Sequence, residues 1–498
     1  MSLKKNIIAN YISQISLALI GIVMMPMYIK YMGTEAYGLV GFYIMMQAWM
    51  QLLDMGMTPT LIRETARYRG GSISLLELRQ LLRTLETVFF CFSLLGVLAS
   101  FFFSSLIAKK WLNIEYLPID TVRHSINLIG LAVILRWISS LYRGVVTGFE
   151  KLIWFSVYNI FISGVRFIAV LPVLLWINND PQTFFAHQLL VSVVEVVLLK
   201  FKSRNLIRQQ KIEEEQHPIS IFDWNSLQKV LKFSTTVAFT ASVWAVVTQS
   251  DKLILSKILT LGDYAYFTLA TLASSGILLL SNTAGTALMP RFSKLGAEDK
   301  KKELIDLYRI ATKYVGSVTI PATLVLIFFP EPLLFVWTGD VEIAAKAKNI
   351  LSLYALGNGL LVFNAFPYYL QYASGNLRLH FIGSVLYLLF FFPVLMILSL
   401  QYGVVGAGWS WFAANFINFI VWVAYVHSKI YPKMHLKWLF NDIGISLYFS
   451  IPIILLINYF IIWPVSRIQT FYILTIVCIV LLSVSLSALF LLQLPKKK

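Results

Sequence analysis

Arg136, Ser139, Ser140, Arg143 and Thr147 are spaced i, i+3, i+4, i+7 and i+11, which lines them along one face of an α-helix. Two turns separate the two arginines, about 10 Å along the axis. Ser156, Asn159, Ser163 and Arg166 make a second such face, Gln188, Ser192 and Glu195 a third, and Gln47, Gln51, Asp54 and Thr58 a fourth. All four lie inside otherwise apolar runs. A guanidinium keeps its charge in any surroundings, and its fork can grip two phosphate oxygens at once. Three arginines face only Glu195 and the more distant Asp54. The positive surplus predicts an anion-binding cavity in which Arg136, Arg143 and Arg166 hold a pyrophosphate-like group. The plainer alternative is that Glu195 neutralises one arginine in a buried pair that fixes the packing. Asp54 and Glu195 are also candidates for coupling to a cation or proton.

The elements that must carry these residues are membrane spans. The chain of 498 residues is 58% hydrophobic and 13% charged, with a mean hydropathy of +0.74. Its apolar runs repeatedly reach the roughly 20 residues a helix needs to cross hydrocarbon. Such helices satisfy their own backbone hydrogen bonds, so the fold class is an all-α polytopic membrane protein. Spans are expected near 6–29, 37–58, 84–107, 124–147, 152–176 and 183–201. A charged linker with Glu213, Glu214, Glu215 and Pro218 follows. Six more spans are expected near 229–255, 264–287, 307–329, 343–370, 378–400 and 406–429, then a final pair near 441–463 and 470–494, about fourteen in all. Arg136, Arg166 and Glu195 then fall near mid-span, with Asp54 and Arg143 nearer one end. A charge at mid-depth costs at least about 2.5–3.5 kcal/mol, so each must face water or a partner.

The formal charge of +17 is distributed by side. Lys4, Lys5, the Arg63–Arg83 loop, Lys151, the Lys200–Lys232 linker, the Arg291–Lys313 loop, Arg378, the Lys429–Lys437 loop and Lys496–Lys498 share one face. Lys30, Lys109, Lys110, Arg123, Lys252, Lys257, Lys346, Lys348 and Arg467 take the other. Such a bias sets membrane orientation, puts both termini in the cytoplasm, and makes nucleic acid an unneeded partner. Lys4 and Lys5 lead directly into a full-length span, so no cleavable signal is expected. Cys91 and Cys478 lie in apolar runs and read as packing residues.

The two halves are related. Tyr28 to Val40 recurs in register as Leu255 to Phe267, with Lys30 on Lys257 and Tyr37 on Tyr264, an offset of 227 (257 − 30). Gly148 pairs with Gly375, Trp111 with Trp337 and Arg83 with Arg309 at nearly the same offset. Six spans per copy is an even number, which implies a parallel repeat. The boundaries expected are 1–214 for a first lobe, 215–435 for a second and 436–498 for the unpaired last two spans. The copies share their turns but differ in chemistry: Arg136 becomes Phe363, Arg143 becomes Leu370 and Arg166 becomes Pro393. The second copy instead offers Thr236, Thr240, Trp244, Thr248 and Asp251, then Asn364, Tyr368 and Gln371, then Trp411, Asn415, Asn418 and Trp422. Trp244, Asn364, Tyr368, Asn415 and Asn418 suit a glycan, which needs hydrogen-bond partners and flat apolar faces; the same residue types also glue membrane helices together. A cationic lobe and a neutral polar lobe suit an amphiphile with an anionic group and a neutral polar portion, such as a lipid pyrophosphate carrying an oligosaccharide. Pro26, Pro172, Pro321, Pro367 and Pro393 interrupt spans and can kink them. None of the six histidines forms a paired motif, no metal spacing or glycine-rich phosphate loop is present, and the loops are too short for a folded domain, which counts against a membrane glycan polymerase or ligase.

With these features in view, the pattern Asn10, Pro26-Met-Tyr-Ile-Lys-Tyr-Met-Gly-Thr-Glu-Ala-Tyr-Gly38, Asp54-Met-Gly-Met57 and Arg63-Glu64 resembles the O-antigen and polysaccharide flippases of the multidrug/oligosaccharidyl-lipid/polysaccharide exporter superfamily. The run Gln249 to Ser256 and Gly262-Asp-Tyr-Ala265 is similar to that superfamily's second lobe. The resemblance covers about residues 1–430. It implies two six-helix lobes in a V, alternating access, a bacterial inner membrane location and an undecaprenyl-diphosphate-linked oligosaccharide as cargo. It also implies cationic first-lobe residues, which Arg136, Arg143 and Arg166 match by position. No cofactor is implied; a proton gradient, a sodium gradient or the membrane potential is the energy source. Candidate protein partners are a polysaccharide polymerase and a chain-length regulator. A cation-coupled multidrug exporter of the same superfamily is the nearest alternative, although its site should be rich in carboxylates. The last two spans depart from a twelve-helix pattern and either form a groove for the lipid tail or pack on the second lobe.

Overall fold

The computed structural model describes residues 3–210 and 220–491. The acidic part of the linker, Glu213 to Glu215 with Pro218, and Lys496 to Lys498 lie outside the described residues, as do the side chains of Gln51, Thr236 and Thr240. Among the described residues the chain is helical throughout, its only β-type pairing being an isolated bridge between Asn113 and Thr260. It forms two compact units, residues 1–265 and 266–498.

The first unit contains α1 (Leu3–Met32), α2 (Thr34–Leu53), α3 (Met57–Arg69), α4 (Leu75–Leu106), α5 (Ile119–Gly148), α6 (Leu152–Ser163), α7 (Val170–Trp176), α8 (Pro181–Arg208) and α9 (Trp224–Ile258). Several starts follow from local chemistry. Ser74 and Glu77 form a capping box on α4, and Asp180 before Pro181 caps α8, each satisfying amides that have no helical partner. The α5 and α8 helices share the most extensive contact of the unit. Against the other side of α5 lies α3, admitted by Gly144 and Gly148. A Cβ on Gly144 would sit 3.1 Å from the Thr58 carbonyl oxygen, and one on Gly148 would sit 2.5 Å from Thr65 Cβ. Two small residues four apart are what lets membrane helices approach this closely.

α9 belongs with this unit. It packs on α2, α3 and α4. Its last carbonyls, of Lys257, Ile258 and Leu259, accept from the Asn113 side-chain amide at 3.0–3.2 Å. The same loop is pinned by Glu35, whose carboxylate accepts the backbone N–H groups of Glu115, Tyr116 and Leu117 at 2.6–2.9 Å. By contact, the first unit therefore extends beyond residue 214 to Ala265.

The second unit holds α10 (Leu261–Ala297, its first turn in unit one), α11 (Lys301–Phe328), α12 (Pro330–Thr338), α13 (Val341–Asn364), α14 (Phe366–Ala373), α15 (Arg378–Ile417), α16 (Val423–Ile430), α17 (Met434–Lys437), α18 (Gly444–Phe460) and α19 (Arg467–Leu491). α15 is two arms. Gly403 has φ 57° and ψ −133°, which only glycine adopts readily. Past it the chain folds back, with the Ser410 hydroxyl donating to the Val394 carbonyl at 3.3 Å. α18 packs on α11, and α19 on both α11 and α12.

Eleven stretches among the described residues are long and apolar enough to cross a membrane, one of them the two-armed 378–430. α2 and α9 are not among the eleven but are helical over two other expected spans. The repeat is visible in the elements: Tyr37 and Tyr264 are both buried in the first turns of α2 and α10. One landmark is shifted. Gly375 is left-handed (φ 70°), but in the first copy that conformation falls on Glu150 (φ 55°), two residues past Gly148. Breaks also change places: the first copy interrupts its second span at Met55–Gly56 (φ 47° and 71°), whereas the second copy interrupts its fourth, between α13 and α14 ahead of Pro367. Pro26, Pro321 and Pro393 remain inside helices. Cys91 and Cys478 are exposed and unpaired, which corrects their reading as packing residues: an apolar run in a membrane helix is no sign of an inward face, since lipid is apolar too.

Candidate functional site

The first unit brings three of its helical faces to one carboxylate. α5 supplies Arg136 and Arg143, and Glu195 comes from α8, two turns beyond Gln188 and one beyond Ser192. Gln188, Ser192 and Glu195 are all buried. Arg166 stands in a π-helical turn, Gly164–Ile168, between α6 and α7. Such a turn takes in an extra residue. The α-helical spacing that puts Ser156, Asn159, Ser163 and Arg166 on one face therefore fails past Ser163, and Arg166 is turned toward α8.

Arg166 is 3% exposed and Glu195 is fully buried. Its Nη2 donates to Glu195 Oε2 at 2.5 Å. Its Nη1 reaches Tyr43 Oη (3.3 Å), Gln188 Oε1 (3.3 Å) and Ser192 Oγ (3.4 Å). Gln188 Nε2 returns a bond to the Arg166 carbonyl at 3.1 Å. Arg143 pairs through Nη2 with Glu195 Oε1, to which the buried Ser139 hydroxyl also donates at 3.3 Å. Arg136 lies further out, its Nε 4.0 Å from Glu195 Oε2, with Nη1 bonded to Gln47 Oε1. Its side chain is 27% exposed and that of Arg143 is 33% exposed. Among the described residues Glu195 is the one carboxylate that pairs with any of the three. The cluster therefore holds two positive charges in excess (three guanidiniums less one carboxylate) in a unit built of membrane helices.

Asp54 stands apart from the guanidiniums. Its carboxylate accepts from Thr58 N (3.1 Å), Thr58 Oγ1 (2.6 Å) and Ser140 Oγ (3.4 Å). It caps the first turn of α3 just past the left-handed pair Met55 and Gly56, and the Met55 carbonyl is held by the Ser234 hydroxyl at 2.5 Å. Tyr43 and Tyr158 were not singled out in the sequence. Tyr43 precedes Gln47 by one turn and was legible from that face. Tyr158, whose hydroxyl donates to the Glu195 carbonyl at 3.2 Å, lies off every polar stripe.

In the second unit Asn364 and Asn415 are brought together: Asn364 Nδ2 donates to the Asn415 carbonyl and Oδ1 at 3.1 and 3.3 Å. Asn415 is buried and bonds back to Trp411. Trp411 in turn donates to Asn358 (3.0 Å), and Asn358 to Ser274 (3.0 Å). This chain stitches α10, α13 and α15 to one another. Tyr368 is half-buried, its ring centroid 4.7 Å from that of His380, and Asn418 sits half-buried in a second π-helical turn. Trp244 is half exposed on α9, within the first unit. Phe363 and Leu370, at the positions matching Arg136 and Arg143, are buried. Two histidines that form no paired motif in the sequence meet in space: His427 Nδ1 lies 3.0 Å from His435 Nδ1, and His427 Nε2 lies 2.8 Å from the Tyr308 hydroxyl. A reversal of the chain between α16 and α17 makes this pair, which no local spacing encodes. Among the described residues no cluster of three metal-ligating side chains occurs.

Comparison with known proteins agrees with this architecture. A Shigella flexneri protein named "Putative O-antigen transporter" is 20% identical over 421 residues, covering 82% of this chain and 94% of that protein. Among solved structures, the lipid II flippase MurJ in an inward closed conformation superposes with a TM-score of 0.69 at 16% identity, covering 97% of this chain and 98% of that one. An inward-facing multidrug resistance transporter of the MATE family superposes at 0.65 with 13% identity, covering 83% and 95%. The fold is thus one shared by flippases and drug transporters. Residues 3–296 match the family described as polysaccharide biosynthesis protein, and the chain belongs to that family.

Proposed function

We propose that this protein is a flippase that moves an undecaprenyl-diphosphate-linked oligosaccharide, an O-antigen or related repeat unit, from the cytoplasmic to the periplasmic leaflet of a bacterial inner membrane by alternating access. The observation that carries this reading is the convergence of Arg136, Arg143 and Arg166 on the single carboxylate of Glu195. A packing pair needs one cation per anion; three guanidiniums at membrane depth leave charge for a diphosphate. Family membership and the O-antigen relative support the glycan part of the cargo. Trp244, Asn364, Tyr368, Asn415 and Asn418 are the residues offered to the sugars, with Trp244, Tyr368 and Asn418 the more available because Asn364 and Asn415 bond to each other. Both termini are cytoplasmic in this reading, which the distribution of Lys and Arg supports. A membrane potential acts on the cargo with about 2.3 kcal/mol per charge per 100 mV. Negative inside, it favours outward movement of an anion, so a coupling ion is not strictly required. The protein carries out no bond chemistry and acts as a transporter beside the polymerase and chain-length regulator that use its product.

Deleting the gene and analysing lipid-linked glycans tests this directly. A diphosphate-linked oligosaccharide should accumulate on the cytoplasmic leaflet, and a wild-type copy should clear it. Drug sensitivity with no such accumulation would instead indicate the multidrug-exporter reading. Arg136→Ala should abolish export while the protein remains in the membrane.

A further inference from the structure

The three arginines of the cluster are not equivalent, and their differences divide the work among them. Arg166 is 3% exposed, and both of its terminal nitrogens are engaged by the first unit itself: Glu195, Tyr43, Gln188 and Ser192. Arg136 and Arg143 are 27% and 33% exposed. Arg136 is at the limit of an ion pair with Glu195. Arg143 Nε is buried without an acceptor among the described residues, an unspent donor on a group already committed at Nη2. Glu195 is wholly buried, is oriented by Ser139, and spreads its two oxygens across all three guanidiniums. Among the described residues it is the one anionic side chain that the three guanidiniums share.

On this basis, and resting on the diphosphate reading above, we infer that Glu195 is a resident counter-anion that competes with the cargo. Arg136 and Arg143 exchange it for the diphosphate, whereas Arg166 stays with Glu195 as a positioning residue. The exchange keeps the site from holding an unopposed cluster of cations when empty, since a buried charge left without its partner is costly. It also weakens the grip on the diphosphate, because each guanidinium that turns to the ligand must first leave a carboxylate. Release is then assisted: as the cargo departs, Glu195 recaptures Arg136 and Arg143. Binding energy that held the cargo equally in every state would only slow its exit.

The test uses the purified full-length protein in lipid nanodiscs, with inorganic pyrophosphate as the probe, and cells for export. Glu195→Gln keeps the shape and removes the competing charge. It should bind pyrophosphate about tenfold more tightly than wild type and export glycan more slowly. A purely structural Glu195 would give the opposite, weaker binding together with weaker export. In the wild-type protein, pyrophosphate should protect Arg136 and Arg143 from an arginine-specific dicarbonyl reagent, read by peptide mass spectrometry, while Arg166 stays unmodified with or without it. This second measurement holds even where Glu195→Gln does not fold. Unchanged or weaker pyrophosphate binding by a folded Glu195→Gln overturns the inference and leaves the anion site standing, whereas protection of neither Arg136 nor Arg143 by bound pyrophosphate overturns both. Wild-type protein that binds no pyrophosphate at all overturns the anion site and the inference together.

Discussion

At the scale of single residues, Asp54 shows how similar carboxylates take different work. Glu195 meets guanidiniums; Asp54 meets a backbone amide and two hydroxyls, on the turn where α2 breaks and α3 begins. This is helix capping, worth about 1 kcal/mol, and an amide oxygen can do most of it. Asp54→Asn is therefore expected to export glycan at near wild-type rate with a small loss of thermal stability. Asp54→Ala should lose about 1 kcal/mol, visible as a lower melting temperature of the solubilised protein. Loss of export in a stable Asp54→Asn variant would restore Asp54 as a coupling residue. The arginines and Glu195 were legible in the sequence because charge inside an apolar run is costly enough to require a reason. Their convergence was not. It depends on a π-helical turn that rotates Arg166, and nothing in the spacing of Gly164 to Ile168 announces an inserted residue.

Among the elements, the position of α5 is set from both sides. α8 holds its charged face, and α3 lies against Gly144 and Gly148. A side chain at Gly148 must displace Thr65 and the Ile62 carbonyl, 2.5 and 2.9 Å from where its Cβ would sit. Gly148→Ala is expected to cost about 1–3 kcal/mol, as overpacking does. Gly164 is also helical (φ −58°, ψ −49°) but has no atom within 4 Å of an added Cβ. Gly164→Ala should thus be neutral or stabilising by about 0.4–1 kcal/mol. The contrast between two identical substitutions, read by thermal unfolding, isolates close approach from glycine's backbone entropy. Gly403→Ala is a third case: no neighbour obstructs it, yet the left-handed backbone should cost about 1–2 kcal/mol. The sequence placed the break between spans correctly at 400–406, because Gly403 separates two apolar runs. It could not show that Gly144 and Gly148 are contact points, since glycines are common in membrane helices whether or not anything lies against them.

For the whole molecule, the question is what the segment from Met434 onward, beyond the repeat, contributes. The second unit answers in its packing. Trp438, just before α18, is wholly buried. It stacks on Tyr308 (6.2 Å between centroids), lies tilted against Phe419 (5.9 Å), and meets His427 and Phe363 edge-on. Its indole N–H donates to Thr312 Oγ1 at 2.8 Å. Four residues on, buried Asp442 takes a bidentate bond from Arg309 at 2.7 and 3.0 Å and pairs with Lys313 at 3.4 Å. Phe363 is the repeat counterpart of Arg136. Where the first copy keeps a cationic site, the second has an aromatic core that the added segment completes. The repeat made the scaffold legible from the sequence, but this substitution of core for site involves residues far apart in the chain and outside the repeat. It follows that residues from Met434 onward stabilise the second unit. Trp438→Ala should cost about 3–5 kcal/mol, and Asp442→Ala a similar amount, because Arg309 and Lys313 lose their buried partner. Both variants should show reduced abundance in the membrane, and export should fall in proportion to the protein that remains. Pyrophosphate binding per folded molecule should be unchanged, since every guanidinium of the cluster lies in the first unit. Should either variant accumulate normally but fail to export, the added helices would have a part in moving the cargo itself, and packing alone would not account for them.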